Sequence, residues 1–145
     1  MTDPLTALLA ASRARIDRFA PADVPALQAD GAVLLDIRTA DQRHRLGVVP
    51  GALWYPRNVL EWRCSPHSEH CDPAVPEAGF RVILMCMHGF QTSLAAATLR
   101  DVGCTGAGEV IGGFQAWAGA GLPVAPYDGA RDALQGSARA SIRDY

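Results

Sequence analysis

The stretch RVILMCMHGFQTSLAAATLRDVG, residues 81–103, decides how the rest of the chain is read. Its first part, RVILMC (81–86), is apolar without alternation, which is the pattern of a strand covered on both faces. Its last part, SLAAATLRDVG (93–103), is alanine-rich and helical, with Thr92 and Ser93 placed to cap it. Between them MHGFQTS must curl, and Gly89 supplies the backbone freedom for the turn. A strand, a glycine turn and a helix in immediate succession make half of a βαβ unit, and ligands of such folds sit beyond the carboxyl ends of parallel strands.

Upstream, LTALLAASRA (5–14) predicts a leading helix and RIDRF (15–19) a short strand. Pro21 and ADVPALQ predict a helix of one or two turns, closed by Gly31. AVLLDI (32–37) is a second apolar run, and Thr39 can cap a helix through ADQRHRL that stops at Gly47. Pro50-Gly51 is a turn and ALWY (52–55) is expected to be a buried strand. Residues 57–63 read as helical, with Val59, Leu60 and Trp62 sharing a side, and CSPHSEHCDPAVPEAG (64–79) reads as one long polar loop. Downstream, EVI (109–111), a Gly-Gly turn and the helix FQAWAGAG continue the alternation, after which PVAPY exits. The expected organisation is a leading helical segment (1–15), one α/β domain with a mainly parallel sheet flanked by helices (16–124), and a C-terminal tail (125–145), polar from 128 onward.

Composition agrees with one soluble domain: 145 residues, 49% hydrophobic and 19% charged, with Gly 14 and Pro 10 indicating many turns. Thirteen basic and fifteen acidic side chains leave a formal charge of -2. That balance provides no field to gather nucleic acid or anionic lipid, so neither a nucleic-acid nor a membrane partner is expected. An acid precedes the first apolar stretch and two arginines follow it, the reverse of a secretory signal, and the expected location is the cytoplasm. The four cysteines (Cys64, Cys71, Cys86 and Cys104) are expected to be mainly reduced there.

Among them Cys86 stands out by position, at the carboxyl end of the central-looking strand. If the loop wraps round the sulfur, successive N–H groups of Met87, His88, Gly89, Phe90, Gln91 and Thr92 point inward as an anion cradle, reinforced by the helix that follows. Such donors favour the thiolate, the species that attacks sulfur.

Four segments resemble the rhodanese-like family, in family order: LLDIRTADQ (34–42), VVPGALWYP (48–56), CMHGFQTS (86–93) and VIGGFQAWAGAGLPV (110–124). The resemblance implies a three-layer α/β fold and a single-domain sulfurtransferase with no cofactor. Cys86 would take the outer sulfur of thiosulfate or a persulfide donor and pass it to cyanide or a thiol, a protein thiol included. Amides of residues 87–92 would stabilise the anionic sulfur in both steps. Asp36 and Arg38 read as a buried structural pair near the site. Many relatives carry arginine at the position of Gln91, so compensating charge is sought in Arg57 or Arg63. His88 can donate to a substrate or face water, and Phe90 is expected as an exposed apolar lip that favours organic donors. Trp54, Trp62, Phe114 and Trp117 are expected in the core.

Three other readings compete. Phosphatases of related fold place an arginine six positions after the cysteine, and Thr92 stands there. Cys64, His67, His70 and Cys71 are metal-capable side chains with poor spacing for zinc, and Cys64 and Cys71 can alternatively form a disulfide. A non-catalytic binding module of the same fold is the third.

Overall fold

The computed structural model describes residues 2–75 and 81–129. Five strands, β1 (Asp17–Phe19), β2 (Val33–Asp36), β3 (Leu53–Trp54), β4 (Val82–Met85) and β5 (Ala107–Val110), form one sheet in the order β1-β5-β4-β2-β3. Every neighbouring pair is parallel, with Leu35 of β2 opposite Leu84 of β4 and Leu84 opposite Glu109 of β5. Among the described residues six helices accompany them: α1 (Pro4–Arg13), α2 (Val24–Ala29), α3 (Ala40–Leu46), α4 (Leu60–Cys64), α5 (Gln91–Asp101) and α6 (Gly113–Gly119). Short 3-10 turns at Pro21–Asp23 and Arg57–Val59 lead into α2 and α4.

Two cores lie back to back across the sheet, because successive strand residues point to opposite faces. On one face Leu35, Val82, Leu84 and Cys86 pack with Leu60 and Cys64 of α4 and with Ala95, Ala96 and Leu99 of α5. On the other, Leu34, Ile83, Met85 and Val110 pack with Val24 of α2 and with Phe114 and Trp117 of α6. The runs 32–37 and 82–86 lack alternation for this reason. The fold is the expected α/β three-layer architecture.

Local differences from the sequence reading have physical causes. ALWY yields the two-residue edge strand β3, and Leu53 and Trp54 are half-buried; the Trp54 indole donates to Arg38 O at 2.9 Å and its ring lies under Arg43. In α4 the inward residues are Leu60, Arg63 and Cys64, an i, i+3, i+4 set, which turns Trp62 out to 47% exposure. The polar loop after α4 is pinned through residue 75. Arg63 Nη1 donates to His70 O at 2.7 Å, the Asp72 N–H donates to Arg63 O, and Tyr55 donates to the Asp72 carboxylate. The rest of that loop through residue 79 lies outside the described residues, as does the tail from 130. Before it the chain is held at two points, with Ala125 bridged to Val48 and the Tyr127 ring centroid 3.9 Å from that of His44.

The leading helix is capped by Asp3, which accepts from the Thr6 N–H at 3.0 Å, and it starts on Pro4. It packs on α5. The strand that follows, β1, comes so close to β5 at its amino end that a Cβ on Gly108 would stand 2.5 Å from Asp17 O.

Beyond β2 the chain is fixed by a buried fork. Arg38 Nη2 donates to Asp36 Oδ2 at 2.8 Å and to Gly47 O at 2.8 Å, while its guanidinium stacks 3.8 Å from the Phe114 ring centroid. Removing one partner from such a pair leaves an uncompensated buried charge. Asp36→Ala is expected to lower unfolding stability by about 3–5 kcal/mol, read as a lower urea midpoint with unchanged slope. Burial pushes the Cys64 thiol far up, and pushes Cys104 up to about 11. Iodoacetamide at neutral pH is therefore expected to leave Cys64 and Cys104 unmodified in the native protein, and peptide mapping should find them labelled after denaturation.

Candidate active site

Cys86 follows the last residue of β4, where the strand's hydrogen bonds to β2 end with the Ile37 N–H donating to Met85 O at 2.9 Å. From there the chain curls at once into α5. The curl needs Gly89, whose φ is +84° and whose Cβ position would fall 2.7 Å from Gly112 N. It also brings the Gly89 N–H back onto the cysteine, donating to Cys86 Sγ at 3.2 Å.

The loop carbonyls are taken up from outside. The Phe114 N–H donates to Cys86 O at 2.8 Å and the Gln115 N–H to Met87 O at 3.1 Å, both from the first turn of α6. Arg13, from the end of α1, donates through Nη2 to Gly89 O at 3.0 Å. In a trans peptide the C=O and the next N–H point opposite ways. Fixing these three carbonyls therefore fixes the N–H groups of Met87, His88 and Phe90 in the opposite sense. The approach of α6 requires Gly113, where a Cβ would stand 2.4 Å from Cys86 O.

A cleft of about 390 Å³ opens over the sulfur. Ile37, Pro56, Met87 and Phe90 give it apolar walls, and Arg38 and Arg57 are the arginines among the residues that line it. Phe90 is 59% exposed, the lip expected from its place in the loop, with the Arg13 guanidinium 5.5 Å from its ring centroid. His88 and Gln91 also border the cleft, and His88 Nδ1 lies 2.7 Å from Gln115 Oε1.

The charges distribute differently from the sequence reading. Arg57 reaches the cleft, but its Nη1 is engaged by Glu61 Oε1 at 2.7 Å. Arg63 does not reach it: the side chain is buried against Tyr55 and His70 O, because α4 turns that position inward. The Cys64, His67, His70 and Cys71 set is not gathered, and among the described residues no group of three or more His, Cys, Asp or Glu could hold a metal. Cys64 and Cys71 are free thiols, so the alternative disulfide is not formed either.

Thr92 and Ser93 are not caps. The helix begins at Gln91 after Phe90, and both hydroxyls sit inside its first turn, facing a buried carboxylate that the sequence reading missed. Glu109 of β5, wholly inaccessible to solvent, accepts from Thr92 Oγ1 at 2.7 Å and Ser93 Oγ at 2.7 Å. Arg18 of β1 donates to it at 2.8 Å, and Arg13 Nε donates to Ser93 Oγ at 3.0 Å. Thr92 Oγ1 in turn lies 3.5 Å from Cys86 Sγ. The signal was a lone acid within the strand AGEV, but its partners lie far away in sequence.

Residues 20–120 match the rhodanese-like domain family. The thiosulfate sulfurtransferase GlpE of Actinobacillus succinogenes is 32% identical over 99 residues, 68% of this chain and 79% of that protein. Among solved structures, a protein of unknown function from Rhodopseudomonas palustris, described as a possible tyrosine phosphatase, superposes with TM-score 0.76 at 31% identity, covering 86% of this chain and 96% of that one. The polysulfide-sulfur transferase homodimer of Wolinella succinogenes shares the fold, with TM-score 0.63, 20% identity and coverage of 84% and 87%. Together with the parallel sheet and the cysteine loop at its carboxyl edge, the match over residues 20–120 shows that the chain belongs to the rhodanese-like domain family.

Proposed function

We propose that the protein is a sulfurtransferase that carries a sulfane sulfur as a persulfide on Cys86. The observation that carries this reading is the Gly89 N–H donating to Cys86 Sγ at 3.2 Å, in a loop that opens on a cleft. A hydrogen bond to the charged form of a group favours that form, and the thiolate is the nucleophile of sulfur exchange. In the first step the Cys86 thiolate attacks the outer sulfur of the donor. The donor's S–S bond breaks, its remnant leaves as a thiolate or, from thiosulfate, as sulfite, and Cys86 keeps the outer sulfur as Cys–S–S⁻. In the second step an acceptor thiolate or cyanide attacks that outer sulfur and the Cys86 thiolate leaves. The loop N–H groups whose carbonyls are tied to α6 and Arg13 serve as preorganised donors to the anionic sulfur in both steps.

The cleft supports an organic persulfide or polysulfide as the preferred donor over thiosulfate. Its walls are apolar, Gln91 is neutral, and Arg57 is engaged by Glu61, so a small dianion meets little uncompensated positive charge. A carrier that works through a free thiol suits a reducing compartment such as the cytoplasm. Phosphate-ester chemistry is disfavoured by the same loop. Six positions after Cys86, where a phosphatase loop needs a guanidinium clamp, Thr92 donates to a carboxylate. Retention of a cysteine with a donor aimed at its sulfur argues against a purely non-catalytic module.

Incubating the reduced protein with an organic persulfide is expected to add about 32 Da, one sulfur, to the intact mass. Cys86→Ser should abolish the gain, and wild-type protein that stays unloaded with every donor would overturn the reading. Phe90→Ser is expected to lower the loading rate from the organic donor about threefold relative to thiosulfate, since it removes apolar contact area from the lip. Equal changes with both donors would remove the role given to Phe90.

A further inference from the structure

The carboxylate of Glu109 has no place in the displacement steps, yet it lies one hydroxyl away from the sulfur. Thr92 has a single hydroxyl proton, and it is donated to Glu109 Oε1 at 2.7 Å. Toward Cys86 Sγ, 3.5 Å away, Thr92 therefore turns lone pairs. A protonated thiol can donate to those lone pairs. A thiolate at the same place meets electron pairs from Thr92 and, behind them, a negative carboxylate in a region without solvent.

We propose that Glu109 is a positioning residue which, through Thr92, disfavours negative charge on Cys86 Sγ and so favours the persulfide over the bare thiolate. The inference rests on the sulfur-transfer reading. When the Cys86 thiolate takes a sulfur from R–S–S⁻, R–S⁻ departs and the charge that Sγ carried moves to the outer sulfur of Cys–S–S⁻. That atom is one bond farther from Glu109, and Coulomb repulsion falls with distance. The inner sulfur is correspondingly a poorer leaving group, so the loaded form is held until a strong acceptor arrives.

The surrounding charges leave this effect in place. Arg18 of β1 engages Glu109 through Oε2 at 2.8 Å, whereas Thr92 is bound to Oε1. Arg13 of α1 lies 4.0 Å from Oε2, the carboxylate oxygen other than Thr92's acceptor Oε1, and donates to Ser93 Oγ and Gly89 O. At the end of β2, Arg38 is forked on Asp36, and Arg43 of α3 is 3.7 Å from the same carboxylate. Before α4, Arg57 is paired with Glu61, and in the loop His88 is held by Gln115. Asp17, next to Arg18, is paired with Arg100 of α5. Glu109 is joined to the sulfur through Thr92, whereas Asp36, Glu61 and Asp17 are engaged by arginines.

The test is the pH dependence of Cys86 alkylation, followed by mass on its own peptide, in the wild type, Glu109→Gln and Arg18→Gln. Glu109→Gln keeps the size and the acceptor for Thr92 but removes the charge. Its alkylation at neutral pH is expected to be about threefold faster or more, with the midpoint of the pH–rate profile moved to lower pH. Arg18→Gln removes a counter-ion and should move the midpoint to higher pH. An unchanged midpoint in Glu109→Gln, or a shift of both variants in the same direction, would overturn the proposal. Should Glu109→Gln fail to give a native circular-dichroism spectrum, the upward shift in Arg18→Gln is still required, and its absence overturns the proposal. Persulfide loading of the wild type, measured in parallel, separates the two claims: a chain that never gains sulfur removes the sulfur-transfer reading and leaves the alkylation result to stand or fall alone.

Discussion

The feature on which the rest depends is the orientation of the peptide units between Cys86 and Gly89. The carbonyls of Cys86 and Met87 are held by two amides of α6 and that of Gly89 by Arg13, and between these fixed units the Gly89 N–H donates to the sulfur at 3.2 Å. Each holding contact has a requirement elsewhere. The amides of α6 can approach only because residue 113 lacks a side chain, and Arg13 reaches the loop only because α1 packs along α5. The leading helix thus becomes part of the site's framework. Glycine at 89 and 113 and arginine at 13 are three consequences of one backbone geometry.

Electrostatics divides the site into two levels. Above the sulfur the cleft is apolar, and its edge arginines are engaged by Asp36 and Glu61. Below it a buried carboxylate organises two hydroxyls and two arginines from α1 and β1. In the proposed reading, a charge on the sulfur is supported by the Gly89 N–H and opposed from beneath through Thr92. Under the proposed sulfur transfer the charge moves outward when Cys86 is loaded, and the carboxylate links the sheet's far strand β1 to the cysteine at the end of β4.

The sheet and the cysteine loop were legible in sequence because the physics there is local. The runs 32–37 and 82–86 are apolar without alternation since both faces are covered, and the turn after Cys86 needs glycine at one position. The four ordered segments that resemble the rhodanese-like family span the same elements. The misreadings occurred where the decisive contacts are tertiary. ALWY has strand composition, but among the described residues β3 pairs with β2 alone, and Trp54 is drawn to Arg38 and Arg43. Arg63, expected as charge at the pocket, is turned by the helical phase of α4 toward Tyr55 and His70 instead. Glu109 gives no periodic signal, since Arg18 lies 91 positions away and the hydroxyls that face it have the sequence position of helix caps.

The most direct test of the account is a single-turnover chase. Protein loaded with sulfur, freed of donor and mixed with cyanide should release about one equivalent of thiocyanate per chain as the Cys86 thiol is regenerated, the stoichiometry of a covalent double displacement. Release of no thiocyanate by loaded protein, or equal release by Cys86→Ser treated in the same way, would contradict it.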